Sequence, residues 1–323
     1  MKEVIIKMVK KDKKWGKKIA YIRDWRKVNQ IYVDRATFYF DFNWVENWSK
    51  ELTEMNLGKK GAPYQFPNSL IKLQAIWLNF FSYRGAQGIT EKFVEFGILP
   101  NYNDYSTIHR RVIPFDFEIP KSKSKEISVS TDGSGVKMNM SGEYFEQKYG
   151  KCDGKKFIKV VISSDPFEKD VLKVEASLEG EGDSEPEIAE KQMNKLLKEG
   201  NNIKKFFGDG SFQTHKLFDF CDLHKIKTAI KISKSANPEV EGSWRRSIEV
   251  KKYRKLGYKK WAKQNEYGRR WTGTEGIFSA VKKIYSERVR AHKVSNMCLE
   301  AERKFWTYQV IKRYAEDKMN FFN

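Results

Sequence analysis

Two aspartates share one local setting. Asp132 follows the run Ile127-Ser128-Val129-Ser130-Thr131 and precedes Gly133, while Asp209 follows Ile203–Phe207 and stands between Gly208 and Gly210. Residues at strand ends of an open α/β sheet converge on one rim, so both carboxylates are placed to meet there. A third acid, Glu275, opens the stretch EGIFSAVKKIY, with Thr272 or Thr274 as a candidate cap. Lys282 lies seven positions on, along the same helix face. Carboxylates gathered from separate segments are the donors that a hard divalent cation takes. A cation held in this way activates an oxygen nucleophile and stabilises charge on a leaving oxygen. Each residue also has a plainer reading. Asp-Gly is ordinary turn chemistry, as at Asp153-Gly154, and any helix is stabilised by an acid in its first turn. Composition and periodicity do not choose between these readings.

The elements that must position these residues follow from periodicity. The alternation over 127–131 predicts a strand running into Asp132, with a second strand, Gly135–Met140, returning through a Gly133-Ser134 turn. Lys156–Ser163 and Val171–Ser177 read as another strand pair around Asp165-Pro166. Residues 186–199 read as a helix with Pro186 in its first turn and Gly200 after its end. Ile203–Phe207 and Thr228–Ile232 read as strands, and Thr214–His224 and Glu275–Glu287 as helices. Strands followed by alternating helices and strands predict an α/β fold of ribonuclease-H-like type, a mixed sheet flanked by helices. Only 66 positions separate Asp209 from Glu275, which predicts a compact core without a large β-rich insertion.

A mainly helical region is expected ahead of that core, over 31–120. Pro67 opens the amphipathic run PNSLIKLQAIWLNFFSY. A second helix follows Arg84-Gly85, and a third begins near Tyr105 with Ser106 or Thr107 as its cap and carries His109, Arg110 and Arg111. Three short helices ending in a basic one suit a helix-turn-helix, and equally a bundle used for packing or dimerisation. Residues 1–30 carry eleven Lys and Arg against three acids, the composition of a basic arm that neutralises phosphates or of a solvated tail. The IPKSKSK linker then separates the helical region from a core over 121–323.

The chain's 62 Lys and Arg oppose 42 Asp and Glu, a formal charge of +20, and its pI is 9.6. Such an excess attracts polyanions, nucleic acid above all. Eleven cations with only two acids fall between Trp244 and Arg270, among them Arg245, Arg246, Lys251 and Lys252. Aromatics interleaved with cations suit a nucleic-acid surface, the favoured reading, over a solvated face whose tryptophans anchor the core. Cys152, Cys221 and Cys298 form no C-x-x-C pair, which argues against a zinc knuckle or disulfide framework and fits a reducing cytoplasm. His109, His215, His224 and His292 show no metal-ligand pairing with cysteine. No apolar run approaches the roughly 18 residues of a membrane span, so no membrane partner is expected.

Three blocks in order, STDGSGVKMNMSGEYFEQKYG, FFGDGSFQTHKLFDF and YGRRWTGTEGIFSAVKK, resemble those of DDE transposases from bacterial and archaeal insertion sequences. The likeness is greatest to group five, with group four a cousin. Tyr64, Pro67, Arg84 and YSTIHRR also look like the helical domain that precedes the core in that group. The resemblance implies a catalytic and metal-binding triad of Asp132, Asp209 and Glu275 using two Mg²⁺ or Mn²⁺ ions per site, with Asp132 bridging them. It implies a catalytic Lys282 at a DNA phosphate, and DNA contacts from Tyr267 and Arg270. In group four, Tyr, Arg, Glu and Lys are separated by two, three and six residues. Here Tyr267 and Arg270 keep two and Glu275 and Lys282 keep six, but four residues part Arg270 from Glu275. The implied activity is cleavage of element ends by water and joining of their 3′-hydroxyls to target DNA, by a homodimer on double-stranded DNA in the nucleoid of a prokaryote. A transposase-derived DNA-binding protein that no longer cuts, and a ribonuclease-H-like nuclease without strand transfer, are the other readings.

Overall fold

The computed structural model describes residues 9–11, 18–20, 24–138, 157–238 and 242–317. A short antiparallel pair, β1 (Val9–Lys11) and β2 (Lys18–Ala20), comes first, within the expected basic arm, most of which lies outside the described residues. Five helices follow: α1 (Trp25–Thr37), α2 (Trp48–Asn56), α3 (Asn68–Trp77), α4 (Tyr83–Glu95) and α5 (Tyr105–Val112). The cap of α5 is Asp104, whose carboxylate accepts from the Ser106 and Thr107 amides, and neither Ser106 nor Thr107 caps it. An aspartate at that position offers a fixed acceptor to two orphan amides, which a hydroxyl already inside the first turn cannot do.

A six-stranded mixed sheet forms the rest of the frame. β3 (Glu126–Met138) is followed by β4 (Phe157–Asp165) and β5 (Asp170–Leu178), each antiparallel to its predecessor. Helix α6 (Glu185–Lys198) then crosses to β6 (Asn202–Gly208), parallel to β3, and α7 (His215–Leu223) crosses to β7 (Lys227–Ile230), parallel to β6. The order β5-β4-β3-β6-β7 is that of a ribonuclease-H-like sheet. After it come α8 (Trp244–Gln264), interrupted at Gly257, then α9 (Arg269–Gly273), α10 (Glu275–Tyr285), β8 (Arg288–Val289) and α11 (Val294–Asp317). Between Asp209 and Glu275 the described residues are helical apart from β7 and connecting turns, as the short gap predicts.

The expected hairpin at Gly133-Ser134 is not formed. β3 continues through both residues, which pair with Val161 and Val160 of β4. A partner strand rich in valine and isoleucine supplies a ladder across these positions, and that pairing outweighs the local turn preference of Asp-Gly. Asp132 therefore stands inside a strand, not at its end. Asp153-Gly154, Cys152 and residues 139–140 lie outside the described residues.

The sheet buries both faces. Ile127 and Val129 of β3 pack with Ala189, Met193 and Leu196 of α6 and Leu217 and Phe218 of α7. On the other face, Val136, Ile158, Val160 and Ile162 pack with Ile277, Phe278 and Val281 of α10 and Phe305 of α11. That cluster runs on without a break into Phe38, Trp44, Leu70 and Ile76 of the helical region. Each such side chain contributes roughly 1.5–3 kcal/mol on burial.

A buried ionic knot pins α11 to the sheet. Asp170 accepts from Gln309 Nε2 (2.8 Å), Lys312 Nζ (2.5 Å) and Arg313 Nη2 (2.9 Å). Burial alone pushes its carboxyl up, but these donors outweigh burial and hold it below the ordinary carboxylate range. Asp170→Ala leaves the buried cations Lys312 and Arg313 with the more exposed Glu316 as their one carboxylate and is expected to destabilise the fold by about 3 kcal/mol, read as a shift in the urea midpoint. A midpoint unchanged from the parent would contradict the knot. Because the folded pKa is depressed, the stabilisation is present above the ordinary Asp value, near pH 4, and is lost as pH falls through the folded value. The gap between parent and variant should therefore narrow on acidification below roughly pH 4.

Candidate active site

The site lies where the sheet splays. β6 pairs with β3 only as far as Ser130, opposite Phe207, and β8 rejoins β3 at Lys137. Along Thr131–Val136 that edge of β3 has no strand beside it among the described residues, and a gap opens at the tip of β6. Asp132 borders the gap from β3. Asp209, the first residue beyond β6, borders it from the other side and caps a 3₁₀ turn, Gly210–Phe212.

The two aspartates are held differently. Asp132 Oδ1 accepts from the Gly133 amide (3.0 Å), and Oδ2 accepts from Arg270 Nη1 (2.8 Å) and from Thr274 Oγ1 (3.4 Å). Burial raises its carboxyl above the usual range; Arg270 opposes this and the charge of Asp209 adds to it. Asp209 Oδ1 accepts from Ser211 N (2.7 Å) and Ser211 Oγ (2.6 Å), which fixes the carboxylate at the tip of β6.

The third arm runs from Tyr267 to Lys282. Tyr267 is 3% exposed and its hydroxyl donates to the Gly208 carbonyl (3.2 Å), tying the arm to the residue before Asp209. Burial pushes that hydroxyl up to about 12. A Cβ on Gly273 would lie 2.7 Å from Pro166 Cα, so only glycine lets the α9–α10 junction close on the β4–β5 turn. These two contacts bring Arg270 to Asp132, with Arg270 Nη2 3.9 Å from Glu275 Oε1. The extra residue between Arg270 and Glu275 is taken up at this junction, where α9 stops and α10 starts anew. Thr274 precedes Glu275 but makes no side-chain cap; its hydroxyl donates to the Arg270 carbonyl (3.0 Å) and to Asp132. α10 buries Ile277, Phe278, Val281 and Tyr285, which leaves Glu275 exposed at its start. Lys282 Nζ donates to Ser134 Oγ (2.7 Å), two residues along β3 from Asp132 and on the same face. Burial lowers the Lys282 ammonium below the usual lysine range.

Residues 123–309, which hold Asp132, Asp209, Glu275 and Lys282, match a family model described as "Transposase DDE domain". The chain belongs to the DDE transposase family. A second model of the same description matches residues 33–141. Among solved structures, the Drosophila P element transposase strand transfer complex is similar at 15% identity and a TM-score of 0.30, over 58% of this chain and 46% of that one. The chain thus spans under half the length of that relative. The Mos1 strand transfer complex is similar at 10% identity and a TM-score of 0.23, over 72% and 82%. No curated protein matches. At those scores the two structures carry no weight; the fold rests on the strand order and the family on the matched residues.

Several side chains expected to meet DNA are occupied inside the protein. Tyr267 is buried and braces the arm. Arg270 is 7% exposed and spent on Asp132 and Glu275. Arg111 donates to the Phe66 carbonyl and Asn68 Oδ1 and stacks over Tyr64, so it holds the helical region together. Arg245 faces Asp222 and Glu249, and Arg246 donates to the Gln213 carbonyl. Lys251, Lys252 and Arg110 are exposed. Of the three tryptophans over 244–271, Trp261 is core, edge-on to Tyr253 and tilted against Tyr267, whereas Trp244 and Trp271 are exposed.

One acid of the site went unread in the sequence. Glu185, the first residue of α6, lies over Gly133, where a Cβ would stand 2.2 Å from Glu185 Oε1. Burial raises its carboxyl, and the charges of Asp132 and Asp209 raise it further. Placing the helix start at Pro186 put Glu185 in an acidic loop. The signal was the Ser184-x-x-Glu187 capping box, which starts the helix one residue earlier. Among the described residues no three acids, histidines or cysteines stand together as a ready cage for an ion. The guanidinium of Arg270 stands between Asp132 and Glu275 instead.

Proposed function

We propose that this transposase cleaves DNA at the ends of an insertion sequence and joins the released 3′-hydroxyls to target DNA. The observation that carries this reading is the meeting of Asp132, Asp209 and the Arg270–Glu275 arm around one gap in the sheet. The donor set fits Mg²⁺ or Mn²⁺. Its oxygens are hard, and the mutual repulsion of Asp132 and Asp209 is what a divalent cation relieves. Asp132, Asp209 and Glu275 would hold the ions, two per site. When bound, the ions make water or a 3′-hydroxyl nucleophilic and stabilise the leaving oxygen.

The chain's own residues supply the rest. The Lys282 ammonium, released from Ser134, binds a phosphate beside the scissile bond and fixes the strand along β3. Tyr267 and Gly273 keep Glu275 at the gap. Lys251 and Lys252 on α8 and Arg110 on α5 offer exposed charge to the duplex backbone. The arm over 1–30, the helical DNA-binding or dimerisation region over 31–120 and the catalytic region over 121–323 divide the work. Handling two element ends together calls for a homodimer on DNA, in the nucleoid of a prokaryotic cytoplasm.

The test is incubation with DNA carrying the element's terminal inverted repeats plus Mg²⁺ or Mn²⁺. Cleaved and joined products are expected from the parent and neither from Glu275→Gln. Cutting without joining would favour a nuclease, and cutting by Glu275→Gln would end the triad assignment.

A further inference from the structure

The gap beside β3 has two walls. One is the arm that carries Arg270, Glu275 and Lys282; the other is the first turn of α6. Glu185 stands in that turn with no capping duty, because Ser184 and Glu187 complete the capping box between them. No hydrogen-bond donor among the described residues reaches its carboxylate. The glycine beneath it is what allows the approach, since any side chain at 133 would occupy the position of Oε1. A half-buried carboxylate without a donor is a costly arrangement unless something positive completes it. Its neighbours cannot do so. Asp132 and Asp209 repel it, and Lys159, whose charge opposes them, donates instead to the Asp183 carbonyl (3.1 Å).

We propose that Glu185 is a fourth carboxylate of the metal site, facing the ion from the wall opposite Glu275. This rests on the reading of the gap as a cation-binding site. It assigns to Gly133 a defined purpose, to keep the strand beside Asp132 bare so that a helix-borne acid reaches the same ion. It also gives the site a carboxylate donor from each flanking layer of the sheet, so a bound ion would hold α6 and α10 in register across β3.

The test uses the full chain without DNA and Mn²⁺ alone, with free Mn²⁺ followed by electron paramagnetic resonance. Glu185→Gln is expected to weaken Mn²⁺ binding by about tenfold or more, the range seen even for residues one step removed from a metal. Gly133→Ala keeps every charge but displaces the Glu185 carboxylate, and the same direction of change is expected. In metal-free buffer the melting temperature of Glu185→Gln should equal or exceed that of the parent, because like-charge repulsion is relieved; a purely structural Glu185 would lower it. Asp132→Asn is the reference. If Asp132→Asn loses Mn²⁺ affinity and Glu185→Gln does not, Glu185 is no ligand and the site stands without it. If both bind Mn²⁺ as the parent does, the cation-binding reading of the gap fails and this assignment with it.

Discussion

Asp132→Asn is expected to lower DNA cleavage by about 1,000-fold or more while leaving the melting temperature within roughly 4 °C of the parent. The rate estimate follows from removing several kcal/mol of transition-state charge stabilisation, each tenfold costing about 1.4 kcal/mol. The small stability effect follows from the contacts. Asparagine keeps one oxygen, for the Gly133 amide or for Arg270, which use different oxygens of the carboxylate; Arg270 retains Glu275 at 3.9 Å, and the change removes a carboxylate that burial and Asp209 both disfavour. Loss of the full ion pair with Arg270 works against that gain, so the two nearly cancel, and a residual of about 1 kcal/mol moves the midpoint by only a few degrees. Cleavage by Asp132→Asn at a tenth of the parental rate would remove this residue from the chemistry. A melting temperature lower by 10 °C or more would instead make Asp132 a structural member of the ion pair.

Asp209 was legible from its surroundings, an apolar strand that halts at Gly-Asp-Gly, and the structure keeps that geometry, with the side chain turned back on Ser211. Asp132 was found for a partly mistaken reason. Its Asp-Gly pair suggested the end of a strand, but β4 offers partners across both residues and the strand runs on. What marks the site is the place where β6 leaves β3, and that is a property of two strands far apart in sequence. Periodicity along one segment carries no information about where its neighbour stops. Glu275 opens a helix in both readings, yet its position depends on Gly273 meeting Pro166 and on Tyr267 reaching Gly208. Those are contacts between segments more than fifty residues apart, and no local pattern encodes them. The internal hydrogen bonds of Arg111 and Arg246 escaped the sequence for a related reason. A run of cations reads as a charged surface, whereas each guanidinium here finds carbonyl oxygens supplied by a distant loop.

Arg270 presents the larger consequence for stability. Its guanidinium pairs with Asp132 at 2.8 Å and faces Glu275 at 3.9 Å, and both it and Asp132 are well shielded from water. Removing one member of such a pair leaves the other charge buried without compensation, at a cost of about 3–5 kcal/mol. Arg270→Ala should therefore lower the urea midpoint markedly when chelator is present. The deficit should then shrink when Mn²⁺ is added, because an ion among the same carboxylates replaces the missing positive charge. Binding at a hundred times the dissociation constant adds roughly 2.7 kcal/mol to the folded state. In the parent the ion must compete with Arg270 for Asp132 Oδ2, so Mn²⁺ should stabilise the variant by more than it stabilises the parent. Equal stabilisation of the two proteins by Mn²⁺ would show that the guanidinium and the ion do not share a place. Greater stabilisation of the variant would identify Arg270 as the cation that holds the acids together until metal arrives, and would explain why an arginine expected at DNA is found against Asp132.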